Sequence, residues 1–134
     1  MFELDDRLEA DTLEIGELSL CRVLLMNDAQ YPWVILVPQR ENVREVFELS
    51  DADQHQLMIE SNAVAKAMAD HFKAEKMNVA ALGNMVPQLH IHHIARFSND
   101  VAWPKPVWGL HPPMAYGEAE LAERLSLLKR VLCG

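Results

Sequence analysis

Three of the six histidines in this chain lie within four positions, in Gln88-Leu89-His90-Ile91-His92-His93-Ile94-Ala95-Arg96. Apolar and polar side chains alternate there with a period of two among β-prone residues, which predicts a strand over Gln88 to Phe97. Successive side chains of a strand point to opposite faces. Gln88, His90, His92 and Arg96 should therefore share one face, and Leu89, Ile91 and His93 the other. The fold must accordingly bury apolar residues behind this strand and hold two imidazoles, an amide and a guanidinium on its front.

A length of 134 residues suits one domain with a real core and is too short for two. The core should span about 10–100, followed by a C-terminal extension over about 101–134. A net charge of -8 argues against an extended nucleic-acid-binding surface, but not against a small phosphate pocket built from local donors. No apolar run approaches the roughly 18 residues that span a membrane. The acidic start, Met1-Phe2-Glu3-Leu4-Asp5-Asp6, lacks the basic and apolar regions of a signal peptide. Only Cys21 and Cys133 are present, at a spacing unlike a metal or redox pair. Cytoplasm is the expected compartment.

The surrounding elements read as follows. Leu13-Glu14-Ile15 and Leu18 to Met26 flank Gly16-Glu17 and predict a hairpin with its turn at those two residues. Asn27 to Pro32 reads as a loop. Trp33-Val34-Ile35-Leu36-Val37, closed by Pro38, reads as a buried central strand. Asn42 to Phe47 is expected to form a helical turn or short helix. A long helix should start at Ser50, with Asp53 completing a short capping box. Its stripe of Leu57, Val64, Met68 and His71 or Phe72 should face the sheet, and Lys73 and Lys76 suit its C-terminal end. Asn78 to Leu82 predicts another strand and Gly83-Asn84 a turn. Leu121, Leu125, Leu128 and Leu132 mark a final amphipathic helix. Strands clustered in sequence and joined by short turns predict an α+β domain, with a mostly antiparallel sheet of about five strands.

A neutral imidazole is a nucleophile, and an ordinary pKa of ~6.5 leaves it largely neutral near pH 7. Attack on phosphorus would split one difficult substitution into two easier ones, with a neighbouring histidine stabilising the developing charge. His-x-His on a strand is equally a way to present two metal ligands, so the residues alone leave both readings open. His93 belongs to the opposite face and suits packing or a supporting hydrogen bond. His55, His71 and His111 read as surface or structural residues, and Arg96 as a partner for an acid. Trp103 and Trp108 read as packing anchors.

The run Val86 to Arg96 resembles the signature of the histidine triad (HIT) superfamily, in which three histidines alternate with apolar residues. The strand Trp33 to Val37 and the order hairpin, strand, helix, two strands are also similar, so the resemblance covers most of 10–100. The Ala102-Trp103-Pro104-x-Pro106-Val107-Trp108-Gly109 tail is similar to a bacterial branch described as diadenosine-polyphosphate-hydrolase-like.

The resemblance implies a nucleotide hydrolase or transferase acting at the α-phosphate, on a diadenosine polyphosphate or nucleoside phosphoramidate. His90 would be the nucleophile and His92 the group that bonds phosphate and assists departure. Asn84 would contact phosphate, and Asn27, with Asp28 as alternate, the ribose. Apolar side chains of the early strands would hold the base. No cofactor is required, a divalent metal is possible but not implied, and a homodimer is expected by analogy.

Gln88 stands where the family's first triad histidine would be, and Trp33 where a further histidine is often found. An amide donates and accepts hydrogen bonds without titrating, so Gln88 is expected to position His90 without modulating it by charge. Both replacements imply slower catalysis or a changed substrate. The alternative is a non-catalytic purine-nucleotide-binding or regulatory module. A structural zinc at His90 and His92 is weaker, because such sites want four ligands and no cysteine is near.

Overall fold

The computed structural model describes all residues, 1–134. Five strands form one sheet in the order β1-β2-β3-β5-β4, every adjacent pair antiparallel. The strands are β1 (Thr12–Glu17), β2 (Cys21–Met26), β3 (Trp33–Pro38), β4 (Lys76–Ala80) and β5 (Ile91–Arg96). Three helices accompany them: α1 (Asp6–Asp11), α2 (Asp51–Phe72) and α3 (Glu118–Cys133). The expected α+β class, antiparallel sheet, long helix and C-terminal helix are all present.

β3 lies at the centre of the sheet and is buried along its whole length. Its continuous apolar run serves two cores. Val34 and Leu36 join Val23, Leu25, Val64, Met68 and Leu128 on the helical side. Trp33, Ile35 and Val37 join Leu24, Ile94 and Val107 on the other. Each such side chain contributes about 1.5–3 kcal/mol by leaving water. A strand flanked by apolar matter on both faces cannot show alternation, and β3 does not.

α2 packs on β4 and β5, and α3 on β1 and α2. Ser50 caps α2 by accepting from the Asp53 N–H at 3.1 Å. The helix ends at Lys73, whose left-handed backbone (φ 55°) stops propagation, so Lys76 belongs to β4 instead. Phe72, not His71, turns toward the core. Two polar residues share the buried stripe. Glu60 accepts from the Leu20 and Cys21 N–H groups at 2.8 and 2.9 Å, fixing the end of the β1–β2 hairpin, and Ser61 meets His93.

Several local expectations are corrected. The hairpin turns at Leu18–Leu20, while Gly16 lies inside β1, next to a register shift between Glu14 and Gly16. A Cβ at Gly16 would sit 3.1 Å from Cys133 Sγ, so this glycine permits close approach of α3 rather than a turn. The helical turn is a single 3-10 turn at Val46–Glu48. β5 begins at Ile91, the last residue that β3 pairs, because Leu89 N–H bonds Val43 O instead of a strand. The helix α1 was not expected, being too short to show a periodic pattern.

Candidate active site

Alternation along β5 and the residues just before it divides the three histidines between the two sides of the sheet. His93 faces α2 and is fully buried. Its Nδ1 donates to Ile91 O at 3.1 Å, which leaves Nε2 to accept the Ser61 hydroxyl proton at 2.7 Å. His93 is thus a structural link between sheet and helix. His90 and His92 face the other way, their rings 4.9 Å apart between centroids. They line a cavity of about 460 Å³, walled by α1, by Met26 and Ile35 of the early strands, by 82–86 and by Trp108.

The two rings are held in complementary tautomers. His90 Nδ1 lies 2.7 Å from the Gln88 backbone carbonyl, which can only accept. The Nδ1 position therefore carries the proton, and Nε2 of the neutral ring carries a lone pair. At His92 the order is reversed. Trp33 Nε1–H, which can only donate, is 3.0 Å from His92 Nδ1, so the neutral ring must bear its proton on Nε2. One imidazole thus offers a nucleophilic nitrogen and its neighbour an N–H donor.

His92 also sits within an aromatic box. Its ring meets Trp33 at 5.7 Å and Trp108 at 5.2 Å in edge-on geometry, and the two tryptophans meet each other at 6.0 Å. Burial, followed by the neighbouring His90 and His93, pushes the His92 pKa down to about 3. Burial pushes His93 down to about 4 against the raising effect of its backbone hydrogen bonds. The Trp33 donor works in the same sense as burial at His92, since a protonated Nδ1 would face another N–H. His92 is a permanent neutral donor at physiological pH.

These depressed values link stability to pH. Above pH 6.5 both rings are neutral, folded or unfolded, and their contribution is complete. As pH falls below 6.5, the unfolded chain takes protons that the folded chain refuses until about 4 and about 3, so stability declines across that window. Near pH 5 unfolding should take up about two protons through these rings. Urea midpoints measured against pH report this uptake, and His93→Gln should reduce it by about one proton.

Trp108 reaches His92 because Arg96 folds the following segment back over the sheet. The Arg96 Nε donates to Asp100 at 2.8 Å, one Nη to Asn78 at 2.7 Å, and the other to Lys105 O at 2.8 Å. Asp100 accepts in addition from the N–H groups of Phe97, Ala102 and Trp103. Burial pushes the Asp100 carboxyl up, but Arg96 and the backbone donors outweigh it, leaving its pKa below the usual carboxylate range. The guanidinium lies 5.8 Å from the Tyr31 ring centroid and 5.7 Å from that of Trp103. Arg96 is therefore committed to structure, paired with an acid as expected.

Asn84 lines the cavity with the two histidines, on a turn that Gly83 enters with φ +76°. Two other expectations need correction. Asn27 and Asp28 lie outside the cavity lining; Asn27 Oδ1 and Asp28 Oδ1 are engaged within the protein, while Asp28 Oδ2 makes no hydrogen bond. Asn27 Oδ1 accepts from Tyr116 N–H at 3.0 Å, and Asp28 Oδ1 from the Gln30 and Met114 N–H groups. The polar lining next to the early strands comes from Asp11 and Thr12 instead. Gln88 supports His90 through its backbone carbonyl, while its side chain bonds Asp5 N–H and Glu3 O.

Sequence reasoning missed Trp108 as a neighbour of His92, treating it as a packing anchor, and read Trp33 as a loss of support instead of a donor. The available signal was the pair of large aromatics themselves, each unusual beside a polar strand face. No group of three or more His, Cys, Asp or Glu side chains is arranged to hold a metal ion, and no helix is long and apolar enough to cross a membrane.

The architecture is a five-stranded antiparallel sheet with one long helix behind it and two histidines, at the start of β5 and just before it, facing one cavity. The HIT domain model matches residues 7–99. The chain belongs to the histidine triad family, whose members are in general nucleotide-binding proteins, hydrolases or transferases. It is similar to a histidine triad protein from Marinobacter aquaeolei VT8, at 53% identity and TM-score 0.96, over 98% of this chain and 96% of that one. A histidine triad protein from Bradyrhizobium japonicum aligns at 46% identity and TM-score 0.95, covering 98% of each chain. One from Sinorhizobium meliloti 1021 aligns at 47% identity and TM-score 0.94, over 98% of this chain and 97% of that one. A search of curated proteins found no match.

Proposed function

We propose that this protein is a nucleotide hydrolase or transferase in which His90 Nε2 attacks the α-phosphate of a nucleotide. The complementary tautomers of His90 and His92, side by side on one cavity, carry this reading. Attack forms an N–P bond and breaks the bond from phosphorus to the leaving group, which departs with the bonding pair. The resulting nucleotidyl-imidazolium retains its Nδ1–H bond to the Gln88 carbonyl, which stabilises the positive charge. His92 Nε2–H donates to the phosphoryl oxygens or the departing atom. Water then attacks phosphorus and loses a proton to solvent, the N–P bond breaks with its pair returning to Nε2, and the nucleoside monophosphate leaves His90 as the neutral Nδ1–H ring.

Asn84 would add an amide to the phosphate, and Leu8, Met26 and Ile35 would supply an apolar wall for the base. The substrate class is a diadenosine polyphosphate or a nucleoside phosphoramidate. A panel of both types should yield a nucleoside monophosphate with the wild-type protein. The second reading, a non-catalytic nucleotide-binding module, is favoured by the side chain of Gln88, which bonds the N-terminal segment and supplies nothing to the His90 ring. It predicts AMP binding by calorimetry and no product from any panel member.

Trp33→Phe removes the indole donor while keeping a smaller aromatic ring in its place. His92 would then be free to carry its proton on Nδ1, withdrawing the donor from the cavity. The expected result is a fall in kcat of about tenfold to a hundredfold with KM changed less than about threefold. Imidazole nitrogen shifts should show the mixed tautomer at His92. Unchanged kcat would remove Trp33 from the mechanism.

A further inference from the structure

The Gln88 side chain makes a two-bond bridge to a remote part of the chain. Its Oε1 accepts from Asp5 N–H and its Nε2 donates to Glu3 O, each at 2.8 Å. Asp5 in turn caps α1 by accepting from Arg7 N–H at 2.8 Å, and Leu8 is buried in the core on the cavity side of the sheet. This arm carries Arg7 to the cavity that contains His90 and His92, where it is the single Lys or Arg of the lining. Arg7 takes part in none of the molecule's ion pairs, and its guanidinium makes no hydrogen bond within the protein. Asp11, one turn further along α1, is the lining's one carboxylate.

We propose that Glu3–Asp11 is a recognition arm fastened by Gln88, and that Arg7 binds an anionic phosphate of the substrate lying beyond the phosphate attacked by His90. The inference rests on the nucleotide reading above and selects within it: a nucleoside polyphosphate over a substrate with a neutral leaving group. His92 is held neutral, so the cavity needs a fixed cation if charge accumulates on the leaving side. A guanidinium matches phosphate geometry and stays charged at any working pH. Glutamine suits the fastening because one planar group supplies a donor and an acceptor on the same side. An imidazole directs its two nitrogens apart and would not bridge Glu3 O and Asp5 N. The triad's altered first member thus gains a different task, holding the arm that carries the site's positive charge.

Calorimetry with AMP and with the α,β-methylene analogues of ADP and ATP, which attack at the α-phosphate cannot cleave at the bridging carbon, tests this directly. The wild type should bind the ATP analogue about tenfold more tightly than AMP, one charge-assisted contact moderated by Asp11. Arg7→Ala should erase that preference while changing AMP affinity less than about twofold. Arg7→Lys should keep part of it, and added salt should weaken the preference only where the cation remains. Gln88→Ala should lose the preference too and should speed tryptic cleavage after Arg7, an independent report on the fastening. A preference that survives Arg7→Ala, an absence of preference in the wild type, or no binding of any probe overturns the proposal. The chemistry is judged separately: turnover without an Arg7-dependent preference sinks only this inference, and the preference without turnover sinks only the hydrolase reading.

Discussion

Replacing His90 by alanine should lower turnover by at least about a thousandfold while nucleotide affinity changes only a few-fold. The size of the effect follows from what is removed. Without Nε2 no covalent intermediate forms, and a direct attack by water must pass a barrier that nucleophilic catalysis avoids; each ~1.4 kcal/mol added to that barrier costs tenfold. Binding should persist because the apolar wall and Asn84 are untouched, and His92 still presents its Nε2–H. His90 is not part of either apolar core, so its loss should leave the fold intact. His92→Ala should be milder, since it removes a donor and not the attacking atom. Steady-state kinetics and calorimetry on the same preparations separate these effects, and near-wild-type turnover by His90→Ala would remove the nucleophile from the account.

The second large effect is on stability, at a place far less conspicuous than the histidines. Asp100→Ala should cost about 3–5 kcal/mol, because it leaves the Arg96 guanidinium buried without its counter-charge. The side chains of this pair are 2% and 5% exposed, so water cannot replace the lost carboxylate. Three backbone N–H groups lose their acceptor at the same time. Against a total stability of typically about 5–15 kcal/mol, such a loss is a large fraction of the whole. The exposed Lys66–Asp70 pair is the control: at 77% and 67% exposure, Asp70→Ala should hardly move the denaturation midpoint. Urea unfolding of both variants reads the difference. Asp100→Ala should also release 98–108 and with it Trp108, so residual activity should fall even below the unfolding temperature.

The parts of this fold that were legible in the sequence are those carried by periodicity. Alternation in Gln88 to Arg96 separated His93 from His90 and His92, and the structure puts a sheet between them. The continuous run in β3 indicated a central strand, and the leucines at 121, 125, 128 and 132 indicated α3, where all four pack on the main core. What escaped depends on contacts between distant residues. Gly16 carries a turn signal, yet Cys133, more than a hundred positions away, accounts for the glycine. α1 has too few residues for a helical stripe, and it is held in place by Gln88 and by the burial of Leu8. Asn27 and Asp28 have the chemistry to meet a ribose, but neither lines the cavity, and Asn27 Oδ1 is taken by Tyr116 N–H. Trp33 could be identified as a departure from the family pattern; that its indole sets the tautomer of His92 depends on the pairing of β3 with β5.

Gln88 contributes a backbone carbonyl to His90 and a side-chain clamp to the N-terminal arm, and Trp33 sets the tautomer of His92. The machinery is distributed over β3, β5 and the segment preceding it, with Trp108 closing one side. His90 keeps a lone pair on Nε2 and His92 an N–H on Nε2 in this arrangement.

The central claim is a covalent bond between His90 and the nucleotide. Wild-type protein mixed with a diadenosine polyphosphate should be quenched within the first turnovers under alkaline denaturing conditions, where an N–P bond survives, then digested and analysed by mass spectrometry. A nucleoside monophosphate adduct is expected on His90, absent from His92 and His93 and absent from His90→Ala. Rapid product formation with no adduct at His90, or an adduct on another residue that turns over at the same rate, would contradict it.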